Sequence, residues 1–168
     1  MAEVTITRAA PQGMMTLKAP LGDPAVAAAL GTLGLTLPAR RRLVRSGARA
    51  AAWMAPDELL LLVPEAGAAM AALAPPLAGT HHLLADVSDA RAVFCLAGPG
   101  TRGVLARLCP VDFDPGAFGP GDVRRSRAAQ VAAAIWAEDV ADFRLACFRS
   151  VEGYVAALLG RAAADERG

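Results

Sequence analysis

Three glycines at positions 98, 100 and 103 give the segment LAGPGTRGVL the spacing G-x-G-x-x-G. That spacing lets a backbone approach a dinucleotide pyrophosphate at the N-terminus of a helix. A dinucleotide-binding helix leads into a second buried parallel strand, whereas Pro110 and the segment VDFDPGAFGPG follow here. Pro99 also removes an N–H where amides should converge on phosphate. We therefore interpret Gly98-Pro99 as a helix start, and Gly100 and Gly103 as small residues that allow close packing.

The other candidate catalytic side chains do not form a recognisable site. His81 and His82 are the two histidines, and adjacent side chains on a strand would point to opposite faces. The neighbouring acids at 57–58 and 138–139 are typical of turns and solvent-facing positions. The sequence contains no H-E-x-x-H, G-x-S-x-G or Walker motif. We predict no catalytic residue in this chain, and the pattern assigns no cofactor-binding residue.

Polar residues at two further places have other interpretations. Asp86, Ser88 and Asp89 lie between two apolar segments, so we expect them to stabilise a turn by hydrogen bonding to nearby backbone. The basic segment RRSR, residues 124–127, could bind an anion or an acidic partner, or could be an exposed strand or loop. The candidate partner contacts are Arg124, Arg125 and Arg127.

Composition excludes several classes of protein. The net charge of +1 over 168 residues argues against a general attraction to nucleic acid or to an anionic membrane. The cysteines at 95, 109 and 147 are odd in number and lack a C-x-x-C pair, which predicts buried free thiols and no metal site. The aliphatic run 59–63 is far shorter than the ~20 residues that a membrane helix needs. With no leader-like pattern visible in the sequence, we expect a cytoplasmic protein.

The strands that would position these residues come in adjacent pairs. Alternating or continuous apolar runs predict eight of them, and the basic segment 35–48 is expected as a loop or short strand. Residues 110–122 are dense in Pro, Gly and Asp and are expected to be irregular. The predicted strands are 4–8, 14–19, 49–56, 58–64, 83–88, 91–98, 130–136 and 142–149.

Four helices are predicted between these pairs. The first, 23–30, has Asp23 as N-cap, Pro24 at its first position and Gly31 as a stop. The second, 65–74, should end at the proline pair 75–76. The others cover 99–109, with Val104, Leu105 and Leu108 on one face, and a helix capped by Ser150 with an apolar stripe at Val151, Tyr154, Val155, Leu158 and Leu159.

This order of elements favours an α+β fold, with mostly antiparallel sheets and flanking helices, over a doubly wound parallel sheet. A chain of 168 residues suits one domain, with two subdomains meeting near residue 80 as the alternative.

Four segments together carry a family resemblance. In this order, they resemble the gamma subunit of heterotetrameric sarcosine oxidase, and the similarity covers roughly residues 53–160. More distantly, the D-V-S-D strand, the G-P helix start and the following Asp-Phe-Asp look like the glycine-cleavage aminomethyltransferase (T-protein) superfamily. The segments are WMAPDELLLL (53–62), ADVSDAR (85–91), LAGPGTRGVLARLCPVDFDPGAFGPG (96–121) and FRSVEGYVAALL (148–159).

The resemblance implies an aminomethyltransferase folate-binding-domain-like fold and a structural, non-catalytic role. The implied assembly is a cytoplasmic heterotetramer with alpha, beta and delta subunits that oxidises sarcosine to glycine, with formaldehyde and hydrogen peroxide as co-products. It further implies that flavin (FAD and FMN), NAD, zinc and tetrahydrofolate belong to those other subunits. The predicted helices AVAAAL and GAAMAALA offer little polar face to water, as expected of a subunit surface.

Two alternatives stay open at this point. One is a stand-alone tetrahydrofolate-binding protein of the same superfamily, either a methylene-transfer enzyme or an iron–sulfur maintenance factor. The second of these is disfavoured, because Cys147 lies in LACFRS without the family's preceding Lys-Gly or following Tyr-x-Gly-Gln. The other alternative is the small subunit of a related N-methyl amino acid dehydrogenase. The sequence does not distinguish such a subunit from the gamma subunit of a sarcosine oxidase.

Overall fold

The chain divides into two compact units. The computed structural model describes residues 3–167. One unit is Pro11–Asp89, and the other combines the residues up to Ala10 with those from Ala90 onward. Each unit contains one five-stranded sheet, and every strand pair is antiparallel. The expected α+β class with antiparallel sheets is confirmed.

The unit Pro11–Asp89 has one sheet and two helices, and its strand order is β3-β4-β5-β2-β6. Its central strand, β5, is buried along its whole length, which explains the continuous apolar run of that segment. The bounds are β2 Gly13–Lys18, α1 Pro24–Thr32, β3 Leu43–Ser46, β4 Arg49–Ala55, β5 Glu58–Val63, α2 Ala66–Leu77 and β6 Leu83–Asp86.

An aliphatic core lies between one face of this sheet and its two helices. Alternate residues of β2 and β5 supply the sheet side of the core, as the two-residue period of a strand requires. Its largest fully buried members are Met15, Leu17, Leu30, Leu59, Leu61, Leu73 and Leu77.

The predicted cap of α1 is confirmed and its predicted end is wrong. The Asp23 carboxylate accepts a hydrogen bond of 2.9 Å from the Ala25 N–H, and Pro24 follows at the first helical position. Gly31 does not stop the helix, which continues to Thr32. The chain leaves the helix instead at Gly34, whose φ of 70° is a left-handed conformation that glycine adopts readily.

The predicted end of α2 is also wrong, because the helix includes the proline pair 75–76. Each proline lacks the N–H that an interior helical residue donates. Leu73 and Leu77 are four residues apart on one face and both are fully buried, so packing of Leu77 offsets the lost hydrogen bonds. At the other end, the Glu65 carboxylate accepts from the N–H groups of Gly67 and Ala68 at 2.8 and 2.6 Å.

The second unit has the strand order β1-β7-β10-β9-β8. Strand β1 precedes the first unit in sequence, yet pairs with β7, so that Ile6 lies opposite Leu96. Strand β8 at the opposite edge was expected only as a strand or loop. The bounds are β1 Thr5–Arg8, β7 Arg91–Ala97, α3 Thr101–Leu108, β8 Val123–Ala128, β9 Val131–Ala137, β10 Asp142–Phe148 and α4 Glu152–Arg167.

Three phenylalanines give this unit an aromatic core. Phe113 and Phe118 come from the irregular segment between α3 and β8, and Phe143 comes from β10. The ring centroids of Phe118 and Phe143 are 5.7 Å apart, and those of Phe113 and Phe143 are 6.2 Å apart with the rings edge-on. Val104, Leu105, Val155 and Leu159 complete the core from the two helices.

The N-terminus of α4 differs from the expectation. Ser150 lies inside a short 3-10 turn, Arg149–Val151, and α4 begins at Glu152. The apolar stripe is confirmed at Val155 and Leu159, which are fully buried, but Tyr154 is 48% exposed.

Candidate functional site

The glycine-rich segment does not form a phosphate-binding helix start. Helix α3 begins at Thr101, not at the predicted Gly98-Pro99, and Gly100 is its N-cap. Gly98 has a φ of 117°, and a side chain there would meet the backbone carbonyl of Glu3. That same carbonyl accepts from the Gly100 N–H at 3.2 Å, while the Gly98 N–H donates to the carbonyl of Ala141 at 3.0 Å. The amides that would cradle a phosphate are therefore bonded to protein backbone.

Gly103 supports the second part of the interpretation. A side chain at this position would run into the carboxylate of Glu166 on α4. Glu166 also forms an ion pair of 3.0 Å with Arg107, one turn further along α3. The small residue therefore allows close packing of α3, as predicted, and the structure identifies α4 as the element packed there.

The acidic turn after β6 has the expected structural role. Asp86 Oδ1 accepts hydrogen bonds from the Ser88 hydroxyl at 2.5 Å and from the Ser88 N–H at 2.9 Å. The Ser88 hydroxyl in turn accepts from the Met14 N–H at 2.9 Å, which ties the turn to β2. Both hydrogen bonds lower the pKa of the Asp86 carboxyl, and the bond from the Ser88 hydroxyl has the larger effect. Asp89 follows, exposed, in a 3-10 turn.

The predicted free thiols are confirmed, and their predicted burial is confirmed for two of the three. Cys109 and Cys147 are buried and Cys95 is half-buried, and all three are free. Burial raises the pKa of the Cys109 thiol to about 12, and burial likewise raises that of Cys147. Over residues 3–167, no three His, Cys, Asp or Glu side chains are grouped so that they could hold a metal ion.

The three candidate partner contacts lie on β8, at the edge of the second unit's sheet. Because side chains alternate along a strand, Arg124 points to one face while Arg125 and Arg127 point to the other. Arg125 and Arg127 are exposed, and Arg124 is half-buried. The structure therefore does not present the three arginines as one basic patch.

Arg124 has an internal structural role. Its guanidinium lies 5.0 Å from the centroid of the Phe118 ring, on the core side of the sheet. It donates hydrogen bonds to the carbonyls of Val123 at 2.9 Å and Ala117 at 3.3 Å, and its ion-pair distance to Asp122 is 3.6 Å. Arg124 thus holds the irregular segment against β8 and is a weaker candidate for a partner contact than Arg125 or Arg127.

Sequence reasoning missed a second arginine with this role. Arg102 donates to the carbonyls of Phe113 at 2.5 Å, Phe118 at 2.9 Å and Val140 at 3.1 Å. Its guanidinium also lies 4.9 Å from the centroid of the Phe143 ring. The pattern in the sequence gives only an arginine near a helix start, and its partners are 11 to 38 residues away.

The two histidines lie just outside the strand that the sequence predicts at 83–88. His81 and His82 precede β6 instead of lying on a strand, so strand alternation does not apply to them. Both residues line one pocket of about 490 Å³ in the unit Pro11–Asp89.

Large apolar side chains are exposed at several places. In the second unit, Phe148 is 45% exposed, with the Arg91 guanidinium 4.2 Å from its ring centroid.

Within the described part of the chain, no helix is both long enough and apolar enough to span a bilayer.

Comparison with known protein families gives one match that covers most of the chain. The family described as "Sarcosine oxidase, gamma subunit family" matches residues 18–165. This match extends further towards the N-terminus than the resemblance expected over roughly 53–160. The sarcosine oxidase subunit gamma of Arthrobacter sp is 33% identical over 126 residues, and that of Corynebacterium sp. strain P-1 is 31% identical over 117 residues. The aligned part covers 74% and 68% of this chain, but only 61% and 58% of those relatives' lengths.

Two solved structures agree with this match. A chain of the heterotetrameric sarcosine oxidase from Corynebacterium sp. U-96, in complex with pyrrole 2-carboxylate, superposes with a TM-score of 0.92 at 26% identity. The superposition covers 98% of this chain and 86% of that one. The glycine cleavage system aminomethyltransferase T from Bartonella henselae gives a TM-score of 0.67 at 14% identity, over 94% of this chain and 45% of that one. The second likeness shows the fold alone, which is aminomethyltransferase-like as expected.

Proposed function

The chain belongs to the sarcosine oxidase gamma subunit family, and from that premise we propose that it is a structural, non-catalytic subunit of a sarcosine oxidase complex. The complex would oxidise sarcosine to glycine, with formaldehyde and hydrogen peroxide as co-products. The observation that carries the proposal is the family match over residues 18–165, together with the TM-score of 0.92 to a chain of the heterotetrameric enzyme.

The structural roles of the candidate residues support a non-catalytic chain. Arg102 and Arg124 bind backbone carbonyls of the segment between α3 and β8. Asp86 and Ser88 bind each other and β2, and Asp23 caps α1. Groups that are occupied in this way do not combine a nucleophile, a base and a residue that orients them.

The proposed partners are the alpha, beta and delta subunits of the complex, in the cytoplasm. Flavin, NAD, zinc and tetrahydrofolate would belong to those subunits, and neither nucleic acid nor a membrane would be a partner. Support comes from the match to a chain of a sarcosine oxidase that is a heterotetramer. The net charge of +1 also gives no general attraction to polyanions.

The helices of the unit Pro11–Asp89 offer a surface suited to such a partner. No residue of α1 or α2 is charged, and alanine is the commonest residue at their exposed positions. A protein surface that stays in water usually carries charge, whereas subunit interfaces are depleted of it. We name this surface the alanine face and define it by Ala27, Ala28, Ala68 and Ala71, which are exposed.

Arg125 and Arg127 are a second proposed contact, at the edge of the other unit's sheet. Edge strands often carry charged side chains that prevent unwanted pairing with other chains. A partner with acidic side chains could use the same two arginines, so a loss of assembly on their removal would distinguish a contact from simple edge protection.

The experiment is co-expression of the tagged chain with its alpha, beta and delta partners, followed by affinity capture and gel filtration. We expect all four chains to elute together. Ala28→Glu with Ala71→Glu should weaken capture, because each places a charge on the alanine face while glutamate still favours a helix. Ala156→Glu and Ala157→Glu on exposed positions of α4 are the matched controls. A chain that elutes alone in the presence of all three partners contradicts the proposal.

Calorimetry with tetrahydrofolate tests the stand-alone alternative. The residues described here match only 45% of the transferase that shares their fold. We therefore expect no binding below millimolar concentration by the isolated chain. Tight binding by the isolated chain would favour the folate-binding protein instead.

A further inference from the structure

A pocket at one end of the first unit's sheet combines charged, imidazole and apolar groups. It has a volume of about 490 Å³ and belongs wholly to the unit Pro11–Asp89. Small-molecule pockets in proteins have volumes of this order and place a few polar groups in apolar surroundings. The lining residues are Lys18, Ala19, Pro20, Asp57, His81, His82 and Leu83.

The strand register explains why these residues meet. Lys18, the last residue of β2, lies opposite Glu58 of β5 on one side and Leu83 of β6 on the other. One residue further along, the Ala19 N–H donates a hydrogen bond of 3.0 Å to the carbonyl of Asp57. The pocket is therefore built on the ends of three neighbouring strands.

Lys18 provides the pocket's positive charge and is the sole lysine of the sequence. Its Nζ lies 3.5 Å from Oε2 of the buried Glu58, which holds the ammonium group at the rim. The Lys18 side chain remains 47% exposed. An ammonium group has three N–H donors, so one carboxylate partner leaves donor capacity for a ligand.

His82 provides an acceptor whose orientation is fixed. Its Nδ1 lies 2.8 Å from the carbonyl of Thr80, and because a carbonyl only accepts, Nδ1 carries the proton. In the neutral ring, Nε2 then has a lone pair to offer. The Thr80 hydroxyl donates to Asp23 Oδ2 at 3.0 Å, and Asp23 also caps α1. This chain of hydrogen bonds anchors the histidine segment to the helix.

These groups complement a ligand that carries both signs of charge. Lys18 suits a carboxylate, while the Asp57 carboxylate and His82 Nε2 suit an ammonium or secondary amine. Pro20 and the 53% exposed Leu83 offer apolar contact to the rest of such a molecule. A simple anion would instead face the carboxylates of Asp57 and Glu58, and a polyphosphate would need more cations than one lysine.

We propose that this pocket binds a small zwitterionic amino acid, with its carboxylate at Lys18 and its amino group at Asp57 and His82. The site needs only the unit Pro11–Asp89, and its binding does not depend on assembly with other chains. It is a ligand site without chemistry of its own.

The test is calorimetric titration of the full-length chain with N-methylglycine, and separately with acetate and with methylammonium. Acetate carries only the carboxylate of N-methylglycine, and methylammonium carries only its amine. We expect saturable binding of N-methylglycine, at least about tenfold tighter than binding of either half, because each charge-assisted hydrogen bond contributes on this scale.

Substitutions assign the binding to the pocket. Asp57→Asn keeps the size of the side chain and leaves the pair of Lys18 and Glu58 intact, and it should weaken N-methylglycine about tenfold without weakening acetate binding. His82→Phe keeps a ring without the Nε2 lone pair and should also weaken N-methylglycine. Arg40→Gln, an exposed change outside the pocket, is the control, with circular dichroism to check folding.

Three results would overturn the proposal: no saturable binding to folded wild-type chain, acetate binding as tightly as N-methylglycine, or unchanged affinity in Asp57→Asn. Each can occur whether or not the chain assembles with its partners. The titration and the co-elution experiment therefore fail independently of each other.

Discussion

The two units have similar architecture and different means of stabilisation. Each has a five-stranded antiparallel sheet with two helices. The core of the unit Pro11–Asp89 is aliphatic, and its helices carry no charged residue. The other unit has three packed phenylalanines, two arginines that bind loop carbonyls, and an ion pair between its helices. In the second unit, charged side chains form hydrogen bonds and ion pairs inside the unit. The unit Pro11–Asp89 has uncharged helices instead, and these are the helices that we propose for contact with a partner.

Phe143→Ala tests the aromatic core and should have the largest effect. The Phe143 ring is fully buried against Phe113 and Phe118, so its removal leaves a cavity that the surrounding rings fill poorly. We expect a loss of about 3–5 kcal/mol in the free energy of unfolding, measured with urea. Phe148→Ala, at a ring that is 45% exposed, is the control and should cost much less. Equal losses would show that the three rings do not form the centre of this unit.

Gly98→Ala tests the backbone before α3. The φ of 117° and the carbonyl of Glu3 both oppose a side chain there, and backbone does not give way easily. We expect a loss of about 1–3 kcal/mol in stability. Gly160→Ala in α4 meets no atom within 4 Å and should stabilise the chain by about 0.5–1 kcal/mol. Thermal unfolding of both variants measures these opposite changes in Tm. A shift of both Tm values in the same direction would contradict the prediction.

Arg102→Met tests the arginines of the second unit. The change removes three hydrogen bonds to carbonyls and the contact with Phe143, while the methionine keeps part of the apolar stem. We expect a loss of about 1–3 kcal/mol and faster amide exchange near Phe113 and Phe118. Arg127→Met on the exposed face of β8 is the matched control. Unchanged amide exchange in Arg102→Met would show that packing of the phenylalanine rings alone orders the segment between α3 and β8.

The capping carboxylate of α2 gives the smallest effect and depends on pH. Hydrogen bonds from Ala68 and then Gly67 hold the pKa of Glu65 below its ordinary value of 4.5. A lowered carboxyl pKa stabilises the fold above pH 4.5, and this contribution is lost as pH falls through the lower, folded-state pKa. Glu65→Gln should therefore lower the Tm at neutral pH, and its difference from the wild type should shrink as the pH falls through the folded-state pKa of Glu65. The exposed Asp89→Asn is the control, and a constant difference across pH would contradict this role of the charge.

Local signals in the sequence predict most of this fold. Apolar alternation locates the strands, and Asp23-Pro24 locates the start of α1, because both depend on neighbouring residues alone. The proline pair 75–76 gives a wrong end for α2, because burial of Leu77 keeps the chain helical beyond the prolines. Ser150 gives a wrong start for α4, because it lies in a 3-10 turn before the helix. The pairing of β1 with β7 is a long-range contact, and strand patterns do not specify a partner about 90 residues away.

The candidate residues are harder to predict than the fold. The chemistry of Arg124 depends on whether it faces Phe118 or solvent, which one residue of strand register decides. His81 and His82 line one pocket with Lys18 and Asp57, which lie far from them in sequence, and a strand pattern does not specify which distant strand ends lie beside the histidines. Pro99 and Pro110 distinguish this segment from a dinucleotide-binding pattern, and both are visible in the sequence because they are local features.

The central claim is that this chain supports a sarcosine oxidase without catalysing the reaction itself. The direct measurement is hydrogen peroxide formation from N-methylglycine by the purified chain, by the co-purified complex, and by the partner subunits prepared without the chain. We predict turnover by the complete complex, no turnover by the chain alone, and loss of stability or activity when it is left out. Turnover by the isolated chain, free of every partner, would contradict the account.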